Sequence, residues 1–121
     1  ARWNDVATRF WINTIRETSG SGFCTNSGRN SAKFSSTLCG DEWGENTLAV
    51  ASRYTSGGYL FKVDVVFNNT KDWDIYDGVL RFYAMDFRRV AVHELGHAMG
   101  LDHLPGITTI MAEDANDTFL P

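Results

Sequence analysis

All three histidines of this chain fall within one short run, His93-Glu94-Leu95-Gly96-His97-Ala98-Met99-Gly100-Leu101-Asp102-His103. Histidines four apart on an α-helix lie about 40° apart around the axis and one turn apart along it, so both imidazoles can reach a single ion. A straight helix cannot bring a third ligand to the same point. Gly100 lets the chain turn sharply, and His103 then returns from the other side. Three neutral imidazoles suit zinc and leave a fourth position for water, which is the open coordination of a catalytic site. Glu94, beside His93, is near enough to handle that water's proton without being a ligand. The alternative is a core helix that happens to carry histidines. On average residue usage the whole pattern arises by chance on the order of once in a million chains of this length.

The surrounding periodicities place this run in a fold. Asp86 is a suitable N-cap for a helix over about 87–99, and Gly100 is a suitable stop. Val90, Ala91, Val92, Leu95, Ala98 and Met99 make that helix apolar on most sides, so it is expected to be central. Residues 47–54 and 59–67 alternate as strands, joined by a hairpin turn at Thr55-Ser56-Gly57-Gly58. A strand over 33–39, a helix end over 3–7 and a partly alternating strand over 9–15 are further expectations. The stretch 19–31 reads as a loop and 68–78 as a polar loop. Residues 80–85 stay open between strand, helix and packed loop. Strands followed by one long helix predict an α+β domain.

With 121 residues the chain fits one domain, 1–121, and a modest core that a cross-link would help. Cys24 and Cys39 are the two cysteines, and the Ser-, Gly- and Asn-rich segment between them has little apolar surface to order it. A disulfide is the preferred reading, and two reduced, partly buried thiols are the alternative. Closing a loop of about 15 residues contributes roughly 3 kcal/mol in the chain-entropy model. A disulfide would place the protein outside the cytosol. The net charge of −4 is spread along the chain, which argues against a nucleic-acid partner. No apolar run approaches the length of a membrane span. The N-terminus lacks the apolar segment of a signal peptide, so any such segment lies outside this chain.

The histidine run resembles the metzincin signature H-E-x-x-H-x-x-G-x-x-H at every fixed position. Thr109-Ile110-Met111, eight residues after His103, resembles the Met-turn of that clan, in which the methionine packs beneath the metal. Within the clan the chain is most similar to bacterial-type matrixins, relatives of the matrix metalloproteinase catalytic domains. Gly44-Glu45-Asn46-Thr47-Leu48-Ala49-Val50-Ala51 resembles the matrixin upper-rim edge strand. Val63-Asp64-Val65-Val66-Phe67-Asn68 with Trp73, and Asp86-Phe87-Arg88-Arg89-Val90-Ala91, resemble the next strand and the entry to the active-site helix.

The resemblance implies a twisted mixed sheet packed on a central active-site helix, followed by an irregular C-terminal segment with a Met-turn. It implies a secreted zinc endopeptidase, monomeric, acting on protein or peptide. His93, His97 and His103 would ligate zinc and Glu94 would be general acid and base. Met111 and Gly100 would support the site, and Leu48 and Ala49 would hold substrate backbone. The pocket wall is expected over 112–116. The chain departs from matrix metalloproteinases at Leu104, where they have serine. It has no fourth histidine for their structural zinc and no Pro-Arg-Cys-Gly switch. The first strand, most of the first helix and the C-terminal helix of the family are expected to be absent.

Weaker signals remain two-sided. Asp72, Asp74 and Asp77 before Gly78 could hold calcium, as matrixins do near this region, or form a solvated acidic turn. Asn68-Asn69-Thr70 and Asn116-Asp117-Thr118 fit the glycosylation triplet, which is common by chance. Trp43, Trp73, Tyr54 and Tyr76 read as core or rim aromatics. Two rival functions stand beside the peptidase: a zinc-binding module without catalysis, and a zinc hydrolase of a non-peptide substrate. Glu94 counts against the first and the extended edge strand against the second.

Overall fold

A computed structural model describes residues 13–16, 22–26, 28–77, 79, 81, 84–105 and 109–112. Its elements run β1 (Ser31–Ser35), β2 (Ala49–Ser56), β3 (Tyr59–Asn68), β4 (Trp73–Asp74), β5 (Met85–Asp86) and α1 (Phe87–Ala98). The architecture is α+β as expected, with a mixed sheet and, among the described residues, one helix. The helix end at 3–7, most of the strand at 9–15 and most of the pocket wall at 112–116 lie outside the described residues.

The main sheet has the order β1-β3-β2, with β1 parallel and β2 antiparallel to β3. The β2–β3 hairpin turns at Gly57 and Gly58, both with positive φ (57° and 82°). A tight turn that follows the right-handed twist of its strands needs that conformation at both central residues, and glycine takes it without strain. β2 begins two residues later than the alternation suggested and runs on to Ser56. β1 begins and ends earlier than the expected 33–39, because Leu38 pairs with Asp41 in a separate small turn.

Alternation on β3 sends Val63, Val65 and Phe67 to the helix side, where they form the buried cluster with Val90. Ala49 and Ala51 of β2 and Ala91 and Ala98 of α1 pack against it. The rings of Phe34, Phe67, Trp73 and Phe87 extend it toward the helix start, with Phe67 and Phe87 centroids 5.0 Å apart. Trp73 is thus a packed aromatic, and Tyr76 is buried separately, its hydroxyl donating to the Ala84 carbonyl. The short parallel pair β4–β5 ties the loop after β3 to the helix entry. The helix meets the sheet with one face: Arg89, Val90, His93, Glu94 and Gly96 are buried, while Val92 and Leu95 are only half-covered. It is therefore less enclosed by the described residues than its apolar composition suggested.

The opposite face of β3 is buried as well, and by polar residues. Lys62 and Asp64 are 1% and 0% exposed and form an ion pair at 3.0 Å. Asp64 accepts from the Cys24 N–H and the Ser31 hydroxyl, and the Lys62 ammonium donates to the carbonyls of Gly22 and Thr25. These bonds fasten the segment around Cys24 over the sheet. Cys24 and Cys39 are joined, with Cα atoms 5.6 Å apart. A segment poor in apolar side chains is thus held by one covalent link and one buried charge pair.

A buried charge whose partner is deleted keeps its desolvation cost and loses its compensation. Lys62→Met is expected to lower unfolding stability by about 3–5 kcal/mol, measured by urea denaturation under oxidising conditions.

Candidate active site

The N-cap at Asp86 starts α1 in the required phase. Its carboxylate accepts the Arg88 N–H at 3.0 Å and meets the Arg89 guanidinium at 3.2 Å, both Asp86 and Arg89 being buried. The C-terminus closes with paired bonds: Gly100 N–H to His97 carbonyl (3.0 Å) and Leu101 N–H to Gly96 carbonyl (3.0 Å). This is the Schellman arrangement, which needs a left-handed residue at Gly100, observed at φ 92°. Because the chain reverses there, the Leu101 carbonyl comes back to within 2.8 Å of His97 Nδ1. His103 follows two residues later.

The three Nε2 atoms meet. His93 to His97 is 3.0 Å, and His93 to His103 and His97 to His103 are each 3.1 Å. A tetrahedral zinc with bonds of about 2.0–2.1 Å sets its nitrogens roughly 3.3 Å apart, so this triangle fits a single ion capping it. The other ring nitrogens are spoken for at two of the three. His97 Nδ1 faces the Leu101 carbonyl, and His93 Nδ1 faces the Ile110 carbonyl at 2.7 Å. A carbonyl only accepts, so Nδ1 carries the proton in each, which leaves Nε2 with the lone pair a metal requires. Among the described residues, His93, His97 and His103 are the one group of potential ligands that meets at a point.

Glu94 is buried beside them and lines the same cleft. Burial pushes its carboxyl up to about 7, and the Ala51 backbone N–H, which donates to it, pulls the other way. A divalent cation in the histidine triangle would favour the carboxylate further. Met111 is buried, and its turn is bonded on both sides. The Ile110 carbonyl faces His93, and the Met111 carbonyl accepts the Leu104 N–H at 2.8 Å.

A family model described as Matrixin matches residues 31–118. The chain belongs to the matrixin family. The family is one of zinc-dependent peptidases, and the donor set here suits that metal. Neither a curated protein nor a solved structure matches the chain.

In this matrixin a cleft of about 670 Å³ runs along β2, floored by Val90, Glu94 and the three histidines. β2 is the terminal strand of its sheet among the described residues. The Asn68 N–H donates to the Leu48 carbonyl at 2.8 Å, which makes these two a hydrogen-bonded pair. Alternation along the antiparallel ladder then turns the backbone groups of Val50 and Ser52 to β3 and those of Ala49, Ala51 and Arg53 to the open side. Of the two residues expected to hold substrate backbone, Ala49 has its groups on that side. The Leu48 carbonyl is instead taken by the Asn68 N–H of β3.

The acidic loop does not assemble as a calcium site. Asp77 pairs with Arg88, Asp74 pairs with Arg81 at 3.5 Å and accepts the Ile75 N–H, and the Asp72 carbonyl accepts the Met85 N–H. Arginine thus pairs with two of the three carboxylates, those of Asp74 and Asp77. Asn68 is fully buried, with its amide donating to the Thr47 carbonyl and accepting from Thr70, so it is no glycosylation acceptor. It fixes the entry to β2 instead, a role that no motif announces. The carbonyls of Leu101 and Ile110 and the N–H of Ala51 were also missed, because backbone groups carry no residue-type signal.

Two imidazoles hold zinc far less tightly than three. His97→Ala is expected to fall from one bound zinc per chain to well below half, measured by elemental analysis after dialysis, with the fold retained by circular dichroism.

Proposed function

We propose that this chain is a secreted zinc endopeptidase, a single monomeric catalytic domain that hydrolyses internal bonds of a protein or peptide laid along β2. The observation that carries the reading is the meeting, in one cleft, of three converging imidazoles, a buried carboxyl and an open strand edge. A pure metal-binding module has no use for Glu94 in that position. A small non-peptide substrate has no use for an edge several residues long. The disulfide supports an oxidising compartment, and no helix among the described residues is long and apolar enough to cross a membrane.

His93, His97 and His103 are the residues that would hold zinc through Nε2. When bound, zinc supplies Lewis acidity at the position these imidazoles leave open, lowering the pKa of water there and polarising a peptide carbonyl. Glu94 takes the proton of the attacking water on its carboxylate and later gives it to the leaving amine. The Ala51 N–H donates to that carboxylate and keeps it oriented. Ala49 offers its N–H and C=O to the substrate, which adds to β2 as an antiparallel strand. Main-chain bonds of this kind give affinity without regard to sequence, and side-chain contacts supply the choice. Met111, buried in its turn, would support the site, and the Ile110 carbonyl of that turn faces the His93 ring.

Glu94→Gln keeps shape and removes the proton acceptor. It is expected to retain stoichiometric zinc and lose at least about a hundredfold in kcat on an unfolded protein substrate. Activity within tenfold of the parent would remove Glu94 from the role.

The edge makes a second, independent demand. Proline is tolerated in a strand where its missing N–H faces outward. Ala49→Pro is therefore expected to keep its circular dichroism and zinc content and lose most activity on long peptides. An unfolded variant would indicate that β2 is paired on both sides, and a folded, fully active one that substrate does not use this edge.

A further inference from the structure

The cleft is lined by a charge that the peptide-bond chemistry does not use. Arg53 lines it, two residues beyond Ala51 on β2. By alternation its side chain shares the face of Ala49 and Ala51, which pack on the core cluster beside the helix. Arg53 pairs with Val63 of that cluster, but its own side chain is part-exposed and borders the cleft. There it meets Asp102, next to His103, at 3.1 Å. The two side chains are 39% and 82% exposed. A pair so solvated holds its partners weakly, and water or another carboxylate exchanges with it readily.

Because the backbone of Arg53 also faces the open edge, a peptide added there pairs directly with it. Directly opposed residues on neighbouring strands place their side chains on the same face. The substrate residue opposite Arg53 therefore presents its side chain to the guanidinium. The Ala51 N–H marks the level of Glu94 on the strand, and Arg53 is about 7 Å further on at the usual strand rise. In an antiparallel peptide that displacement runs toward its N-terminus.

We propose that Arg53 is a specificity determinant: its guanidinium binds an acidic side chain of the substrate, Asp or Glu, about two to three residues N-terminal to the scissile bond. Arginine keeps its charge at every pH at which the protein folds and offers two parallel donors to a carboxylate. Asp102 is the internal competitor, holding one of those donors until substrate arrives. A substrate with lysine at that position meets a cation, and discrimination arises from repulsion as well as attraction. This inference rests on the edge-binding peptidase reading given above.

The test uses the whole zinc-loaded chain and a set of peptides identical except at the second and third positions before the cleaved bond, carrying Glu, Gln or Lys. For the parent, kcat/KM for Glu is expected to exceed that for Gln roughly fivefold and that for Lys by more, mostly through KM, with the preference shrinking at high salt. Arg53→Glu should reverse the order, and Arg53→Lys should keep part of it. Asp102→Asn should widen the Glu-to-Gln ratio. A second readout is independent of turnover: anisotropy of the labelled Glu and Lys peptides on the Glu94→Gln protein should show the same order of affinity. If no peptide is cleaved, yet Glu peptides bind better in proportion to Arg53, the peptidase reading fails and the recognition stands. Cleavage of all peptides alike, or equal losses on all of them in Arg53→Glu, would overturn the proposal and leave Arg53 as a strap between β2 and the His103 loop.

Discussion

The left-handed turn at Gly100 is the constraint on which the site depends. A helix can offer two imidazoles to one point but never three, and the third arrives only if the chain reverses within a few residues. The reversal is built from the paired bonds of Gly100 to His97 and Leu101 to Gly96. A side chain at φ 92° would meet no neighbour, but it would force the backbone into a conformation that costs an L-residue roughly 1–2 kcal/mol. The same reversal delivers the Leu101 carbonyl to His97. Helix termination, ligand orientation and ligand recruitment are thus one local event.

The cleft wall opposite the histidines depends on polar groups that the sheet buries. Asn68 ends β3 and bonds to its surroundings through every polar group it has: amide nitrogen to the Thr47 carbonyl, amide oxygen from Thr70, backbone N–H to Leu48 and carbonyl from the Trp73 indole. By engaging Leu48 it fixes the phase of the ladder, and the phase decides that Ala49, Ala51 and Arg53 face the cleft. A shift of one residue would turn their backbone groups inward and take the Ala51 N–H from Glu94. The Lys62–Asp64 pair plays the corresponding part on the far face, where it holds the segment around Cys24 that apolar burial could not order.

The parts of this architecture that were legible in the sequence are those in which residue type and spacing carry the physics. The helix with its Asp86 cap and Gly100 stop, the glycine hairpin, the β3 alternation and the meeting of His93, His97 and His103 all follow from short-range rules. The bond from the Asn68 N–H to the Leu48 carbonyl was not legible for a different reason. Alternation gives the faces of a strand but not which backbone groups point to which neighbour, and that needs the register of Asn68 against Leu48. The arginine pairing of the acidic loop was not legible, because composition shows three carboxylates and not that Arg81 and Arg88 reach Asp74 and Asp77. The burial of Lys62 and Asn68 was invisible because a polar residue in a strand reads as an outward one.

The three ligands differ in how they are held, and the difference explains why an irregular tail belongs to the metal site. His93 is buried, His97 is half-buried and His103 is exposed. The first two owe their positions to the helix, which the sheet holds from one side. His103 stands on a loop after the helix has ended, where no ladder fixes it. The turn Thr109–Met111 makes up for this. Its Ile110 carbonyl orients the ring of the buried ligand, and its Met111 carbonyl takes the N–H of Leu104, next to the exposed one. One turn therefore links the most and the least supported histidines. Met111, buried at 3% exposure, anchors the turn from within. The turn's place in the site rests on two carbonyl oxygens as much as on the methionine side chain. A substitution at Met111 would therefore act on the metal through the backbone, by loosening the turn that holds His93 and the residue beside His103.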